Sequence, residues 1–186
     1  MIIAIDGPAA SGKSVTAQKV ASKLKILHLN TGSMYRAVTL YLINRKINLN
    51  NLEEVKKTLP DINIDFNPLD NQIFLNGKEV TKEIRQDLVN SNVSQVSAIK
   101  IVRDLLVEQQ REIAKKNNIA IEGRDIGSHV FPNADYKFFL TADIKTRATR
   151  RLIENKLSKD NLDLVIKELK MRDEYDTNRE HSPLII

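Results

Sequence analysis

The chain has 186 residues, with 29 Lys plus Arg against 24 Asp plus Glu, a net charge of +5. That length fits one domain with room for an insertion, and 41% apolar with 28% charged residues is the balance of a globular protein, not a disordered one. With no Cys there is no disulfide framework, thiolate metal site or Cys nucleophile, and no stretch approaches the ~20 apolar residues of a membrane span.

The elements follow from periodicity. Met1 to Ile5 is a short β-branched apolar run ending at Asp6, which reads as a buried strand; it has no basic flank and so does not read as a signal peptide. Ala17, Val20, Ala21 and Leu24 then form one helical stripe. Ile26 to Leu29 is a second strand, and Thr31 opens a helix whose apolar face includes Met34, Val38, Tyr41 and Leu42. Strand and helix alternating at this spacing predict an α/β fold with a parallel core sheet. Residues 51–59 form a short helix capped by Asn51 and stopped by Pro60. From Ile62 the period shortens to two, and the turn signals Asn67-Pro68 and Asn76-Gly77 predict a small antiparallel β insertion over 61–80. Thr81 is expected to cap the return to helix, with 82–117 helical in two pieces. Ile119 to Glu122 and Tyr136 to Leu140 are further core strands, and 143–156 and 161–178 are helical.

Gly7-Pro8-Ala9-Ala10-Ser11-Gly12-Lys13-Ser14 lies between the first strand and the first helix and matches G-x-x-x-x-G-K-[ST]. The glycines let the backbone wrap an anion; successive N–H groups and the helix N-terminus point at phosphate oxygens; Lys13 adds a full charge, and the Ser14 hydroxyl suits Mg²⁺. Chance supplies the four fixed positions in a chain of this length on the order of 1% of the time. The motif therefore predicts a nucleoside triphosphate with Mg²⁺. No N-K-x-D string accompanies it, which argues against a GTPase.

The excess positive charge by itself admits a nucleic-acid binder, a solvated basic surface, or a site for small polyanions. Arginine placement discriminates. Val165, Leu169, Arg172, Asp176 and Arg179 follow a 4-3-4-3 spacing, so an apolar helix face becomes charged without leaving the core side, which predicts a cleft. Arg124 and Asp125 follow the C-terminal end of a core strand, the ligand edge of an open α/β sheet, and Arg36 lies just after the second strand. Arg103 near Val96, Ile99 and Leu106 is equally a site residue or a snorkelling Arg at a core edge. Arg147, Arg150 and Arg151 share a face that is equally a solvated basic face or part of the site. Tyr35 fits the core or the covering of a ring. His28, His129 and His181 lack metal-ligand spacing and receive no role.

Taken together, Ile5-Asp-Gly-Pro-Ala-Ala-Ser-Gly-Lys-Ser14, Leu29-Asn-Thr-Gly-Ser-Met-Tyr-Arg36, Ser94-Gln-Val, Glu122-Gly-Arg-Asp-Ile-Gly127, Val130-Phe-Pro132 and Arg172-Asp-x-x-Asp-x-x-Arg179 followed by Pro183-Leu184 resemble the cytidylate kinases, a branch of the nucleoside monophosphate kinases. The strings run in family order over essentially the whole chain. Position 30 is Asn where the family usually has Asp. The resemblance implies a three-layer P-loop fold over 1–186, an NMP-binding insertion at 61–84 and a lid at 151–161. It also implies a family strand and helix after Pro183-Leu184 that this sequence lacks, which would leave a sheet edge open.

The implied reaction is ATP-dependent phosphorylation of CMP and dCMP, by a cytoplasmic enzyme using Mg²⁺ with ATP. Residues 7–14 and Arg147 would bind ATP, with Ser14 toward the metal. Thr31, Tyr35, Arg36, Ser94, Arg103, Arg124, Asp125, Arg172, Asp176 and Arg179 would bind CMP. Lys13, Arg36, Arg124, Arg151 and Arg179 would be the catalytic set. The expected partners are these nucleotides alone, without nucleic acid or membrane, and the chain is expected to be a monomer unless the open edge drives association. The competing readings are a shortened relative that binds nucleotide with little turnover, and another small-molecule P-loop kinase.

Overall fold

The computed structural model describes residues 1–67 and 72–186; Pro68 of the first turn signal lies outside the described residues. The chain runs β1 (Ile2–Asp6), α1 (Lys13–Leu24), β2 (Leu27–Asn30), α2 (Thr31–Asn44), α3 (Leu52–Thr58), β3 (Ile64–Asn67), β4 (Gln72–Leu75), β5 (Lys78–Glu79), α4 (Asp87–Ala98), α5 (Lys100–Lys115), β6 (Ile119–Glu122), β7 (Tyr136–Phe139), α6 (Ile144–Glu154) and α7 (Leu162–Asn178). A π-helical turn occupies Ile126–Val130.

The parallel sheet has the order β2-β6-β1-β7. β6, wholly buried, needs apolar residues on both faces, and Ile119, Ala120 and Ile121 supply them. Ala120 meets Ile3, Ile5, Ala17 and Ala21 on the α1 side, whereas Ile119 and Ile121 join the larger core of α2, α4 and α5 on the other. Helix–sheet–helix layering follows directly. The small Ala17 and Ala21 let α1 lie close to the strands. Leu24, expected on the same stripe, is instead 51% exposed, one turn past Ala21 where that cluster ends. Helices α6 and α7 pack against each other through Ala148, Leu152, Val165 and Leu169, which also cover Ala9 of the phosphate loop.

Register sets the level of the site. Ile5 pairs with Glu122 and Asn30 pairs with the same Glu122, so the C-terminal ends of β1, β6 and β2 finish in one row. The second, antiparallel sheet is β3-β4-β5, as its period of two predicts; Ile73 and Leu75 face inward. Thr81 does not cap a helix. Its hydroxyl accepts from the Ile73 amide and ties the end of the small sheet back to β4, while Gln86 precedes α4 without a side-chain cap. Asn30 and Asn51 do cap α2 and α3, accepting from the Ser33 and Glu54 amides. Among the described residues no helix is long and apolar enough to cross a membrane.

Candidate active site

The loop between β1 and α1 turns back on itself through three residues of positive φ: Gly7 at 146°, Ala10 at 57° and Gly12 at 100°. Gly7 admits no substitute. A Cβ there would stand 2.0 Å from the Leu140 carbonyl oxygen, which belongs to backbone and cannot yield. Gly7→Ala is therefore expected to displace the loop from the end of β7 and abolish ATP binding, read by calorimetry; wild-type affinity in this variant would contradict the account.

Lys13 is 6% exposed, and its Nζ donates to the Pro8 carbonyl at 2.6 Å and to Ser11 Oγ at 3.2 Å. Burial, aided by Arg124 and Arg172, pulls its ammonium well below the ordinary lysine range. Ser14 Oγ donates to Glu122 Oε2 at 2.7 Å. Asp6, buried at the end of β1, accepts from the Ile126 and Gly127 amides at 2.8 and 2.7 Å. Burial raises its carboxyl above the usual range although both hydrogen bonds oppose the rise.

Beyond the loop lies a cavity of about 160 Å³, open to solvent. Its walls carry Lys13, Arg36, Arg85, Arg103, Arg124, Arg151, Arg172 and Arg179 against Glu122, Asp125, Glu154 and Asp176. Eight cationic and four anionic side chains leave an excess of four positive charges here, against +5 for the whole chain. An excess of positive charge thus faces this one cleft, as a site for small polyanions requires.

The cations fall into two groups. At the inner end Arg103 is 2% exposed and forms an ion pair with Asp125, which also faces Arg179 at 3.4 Å. The Arg103 guanidinium lies 5.5 Å from the centroid of the Tyr35 ring, and Val93 and Ser97 complete that wall. Burial pushes the Tyr35 phenol up to about 12, so it stays neutral. Asp176 accepts from Arg124 Nε at 2.9 Å. The second group faces the loop. Burial first, then Arg172, Arg151 and Arg85, pulls Arg36 down to about 9; burial first, then Arg124, pulls Arg172 down to about 10. Several buried donors lack hydrogen-bond partners, among them Nε of Arg103, Nε of Arg172 and Nη2 of Arg179. Buried guanidinium N–H groups left without a hydrogen bond carry a cost that an anionic ligand relieves.

Ala9, Ala10, Lys13, Ser14, Thr31, Tyr35, Arg36, Arg103, Arg124, Asp125, Arg151, Arg172, Asp176 and Arg179 therefore meet in one place. Of the other residues named from the sequence, Gly7, Pro8, Ser11 and Gly12 shape the loop without lining the cavity, and Ser94 and Arg147 lie away from it. Ser94 stays outside the cavity wall, where its carbonyl accepts from Ser97 Oγ; Ser97, three residues on and so on nearly the same helix face, lines the cavity instead. Arg147 lies behind the loop. Its Nη1 donates to the Ala9 carbonyl at 3.1 Å and to Asp173 at 2.6 Å, and its Nε to the Ala142 carbonyl. Arg150 similarly donates to the Ser11 carbonyl at 2.9 Å. Both brace the loop by its carbonyls, and Asp173, which Arg147 holds, also accepts from the Ala9 amide at 3.3 Å. Arg85 and Glu154, ion-paired at 3.8 Å across the mouth, were not apparent from the sequence. Neither sits on a stripe of buried residues, so periodicity gives no signal for them.

A family model described as "Cytidylate kinase" matches residues 3–186. The chain belongs to the cytidylate kinase family. The cytidylate kinase of Clostridioides difficile strain 630 is 48% identical over 187 residues, covering 100% of this chain and 86% of that protein. That of Clostridium botulinum strain Hall is 47% identical, with 98% and 84% covered, and that of Fusobacterium nucleatum subsp. nucleatum is 46% identical, with 99% and 84% covered. Similarity of this kind over the full chain spans every element that carries the cavity: β1, the loop, α2, α4, the β6–β7 connection, α6 and α7.

Proposed function

We propose that the chain transfers the γ-phosphoryl group of ATP to CMP or dCMP, with both nucleotides held head to head in the cavity. What carries this reading is the convergence of Lys13, Arg36, Arg124, Arg172 and Arg179 from separate turns and helix ends onto one cavity. ATP would enter over residues 7–14, its phosphates on the loop amides and Lys13. Oxygen donors suit Mg²⁺, which typically takes one or two protein oxygens and the substrate's phosphates. Ser14 and Glu122 fit that demand, and the ion would neutralise charge on the transferred group.

The acceptor phosphate falls to Thr31, Arg36, Arg124 and Arg179. With a second pKa near 6 it is already largely ionised at neutral pH, so no general base is needed. An acceptor oxygen forms the new bond to the γ-phosphorus as the bridge to ADP breaks; positioning and charge stabilisation do the rest. Arg172 and Asp176 take the sugar. Asp125 accepts from the exocyclic amine of cytosine, while Arg103 donates to the ring acceptors. Uracil presents a carbonyl to Asp125 and loses ~1–3 kcal/mol on that contact. Residues 61–84 serve as the acceptor-side flap, which leads in sequence into Arg85 on the cavity wall. Residues 151–161 serve as the lid, beginning at Arg151, and closure keeps water from competing for the phosphoryl group.

Coupled detection of ADP with CMP, dCMP, UMP, AMP and shikimate as acceptors tests the reading. Turnover is expected with both cytidine nucleotides, less with UMP and none with shikimate. Nucleotide binding without turnover of either cytidine nucleotide would leave a binding protein, and preference for another acceptor would make it a different P-loop kinase.

A further inference from the structure

His28 is buried, on β2, and neither the motif pattern nor the cavity lining includes it. The register explains where it points. His28 pairs with Ala120, so its side chain shares the α1 face of the sheet with Ala120 and with Glu122 two residues on. Its Nε2 stands 3.2 Å from Glu122 Oε1, with both side chains under 8% exposed. The other carboxylate oxygen, Oε2, accepts from Ser14 Oγ. A carboxylate can only accept, so the contact requires the proton on His28 Nε2.

We propose that His28 is a positioning residue that acts through Glu122 on Ser14. Glu122 holds the Ser14 proton, and this turns the lone pairs of Ser14 Oγ away from the carboxylate. A glutamate has one more rotatable bond than an aspartate and needs a second anchor to hold that orientation. His28 is the anchor, fixing Oε1 while Oε2 serves Ser14. The arrangement resembles a ligating group oriented by an outer hydrogen bond, here one step further removed. The inference rests on the phosphotransfer reading above, because it assigns Ser14 and Glu122 to the metal-bearing end of ATP.

The test compares wild type, His28→Phe and His28→Gln. ATP affinity is measured calorimetrically with Mg²⁺ and again in EDTA, alongside kcat, the KM for CMP and the thermal midpoint. His28→Phe is expected to shrink the ratio of the two ATP affinities and to lower kcat by about 10-fold, the low end for groups that orient a ligand. The KM for CMP and ATP affinity in EDTA stay near wild type. His28→Gln keeps an N–H donor and recovers most of the loss. In a Glu122→Gln background, His28→Phe adds no further loss in the affinity ratio. Should His28→Phe fail to fold, His28→Leu takes its place. An unchanged affinity ratio in the apolar variant overturns the proposal. So does a parallel fall in every affinity and in the thermal midpoint, with Gln no better than Phe. Absence of CMP turnover in wild type would instead sink the phosphotransfer reading, while the ATP affinity ratio would still report on His28.

Discussion

Lys13→Met is expected to reduce phosphoryl transfer by a factor on the order of 10²–10³, the usual cost of deleting one preorganised donor from the site of developing charge. CMP affinity should barely change, since the acceptor-side arginines remain. The effect on stability has the opposite sign. Burial and two neighbouring guanidiniums pull the Lys13 ammonium well below its ordinary range, so the folded state bears a cost for carrying the charged form. A group depressed in this way destabilises the fold at pH values below its folded pKa, where it is charged in both states, and the cost fades as pH rises through that value. Met removes the charge and keeps the length, so the variant should melt at or above the wild-type temperature. Loss of activity accompanied by higher stability is the signature of a residue retained for chemistry. A kcat within 10-fold of wild type, or a lowered melting point, would refute this account of Lys13.

Asp125→Ala should be the most damaging single change to stability in the cavity. Its carboxylate, 4% exposed, answers both Arg103 and Arg179, and truncation leaves two buried guanidiniums without it. Breaking a buried pair from one side typically costs about 3–5 kcal/mol. In a chain of this size that lowers the melting temperature by roughly 10 °C. Asp125→Asn separates structure from specificity. It keeps one acceptor for the arginines but presents an amide N–H that can meet the carbonyl of uracil. The CMP over UMP preference in kcat/KM should narrow by about 1–3 kcal/mol. An Asp125→Asn enzyme with undiminished discrimination would remove Asp125 from base reading.

Where a residue's environment is set by its own element, the sequence was legible. The stripe from Val165 to Arg179 is the clearest case: helical spacing alone places Arg172, Asp176 and Arg179 on the core side, and Asp176 and Arg179 are indeed buried. The phosphate loop is equally local, since glycine and the strand–helix junction are properties of neighbours in sequence. What depends on distant partners was not legible. Arg103 could have snorkelled; its fate is decided by Asp125. Arg147 shares a face with Arg150 and Arg151, yet neighbouring Ala148 packs against α7 and brings Arg147 beside Asp173. Thr81 has the hydroxyl a helix cap needs, but the Ile73 amide claims it. His28 offers no spacing signal, because its partner lies on another strand and only register brings the two together.

The carboxylate of Asp6 has a mechanical consequence. By holding the amides of Ile126 and Gly127 it bolts the strand that feeds the phosphate loop to the segment just after Arg124 and Asp125. Donor and acceptor ends of the cleft thus share one stiff floor, and their separation is not a hinge variable. Rearrangement must come from the sides, where Arg36 rests on the Ile84 carbonyl and Asn90, and Arg151 on Glu154, through contacts that incoming phosphates can exchange. Substrates entering this pocket would find the distance for transfer already built and only the walls left to move.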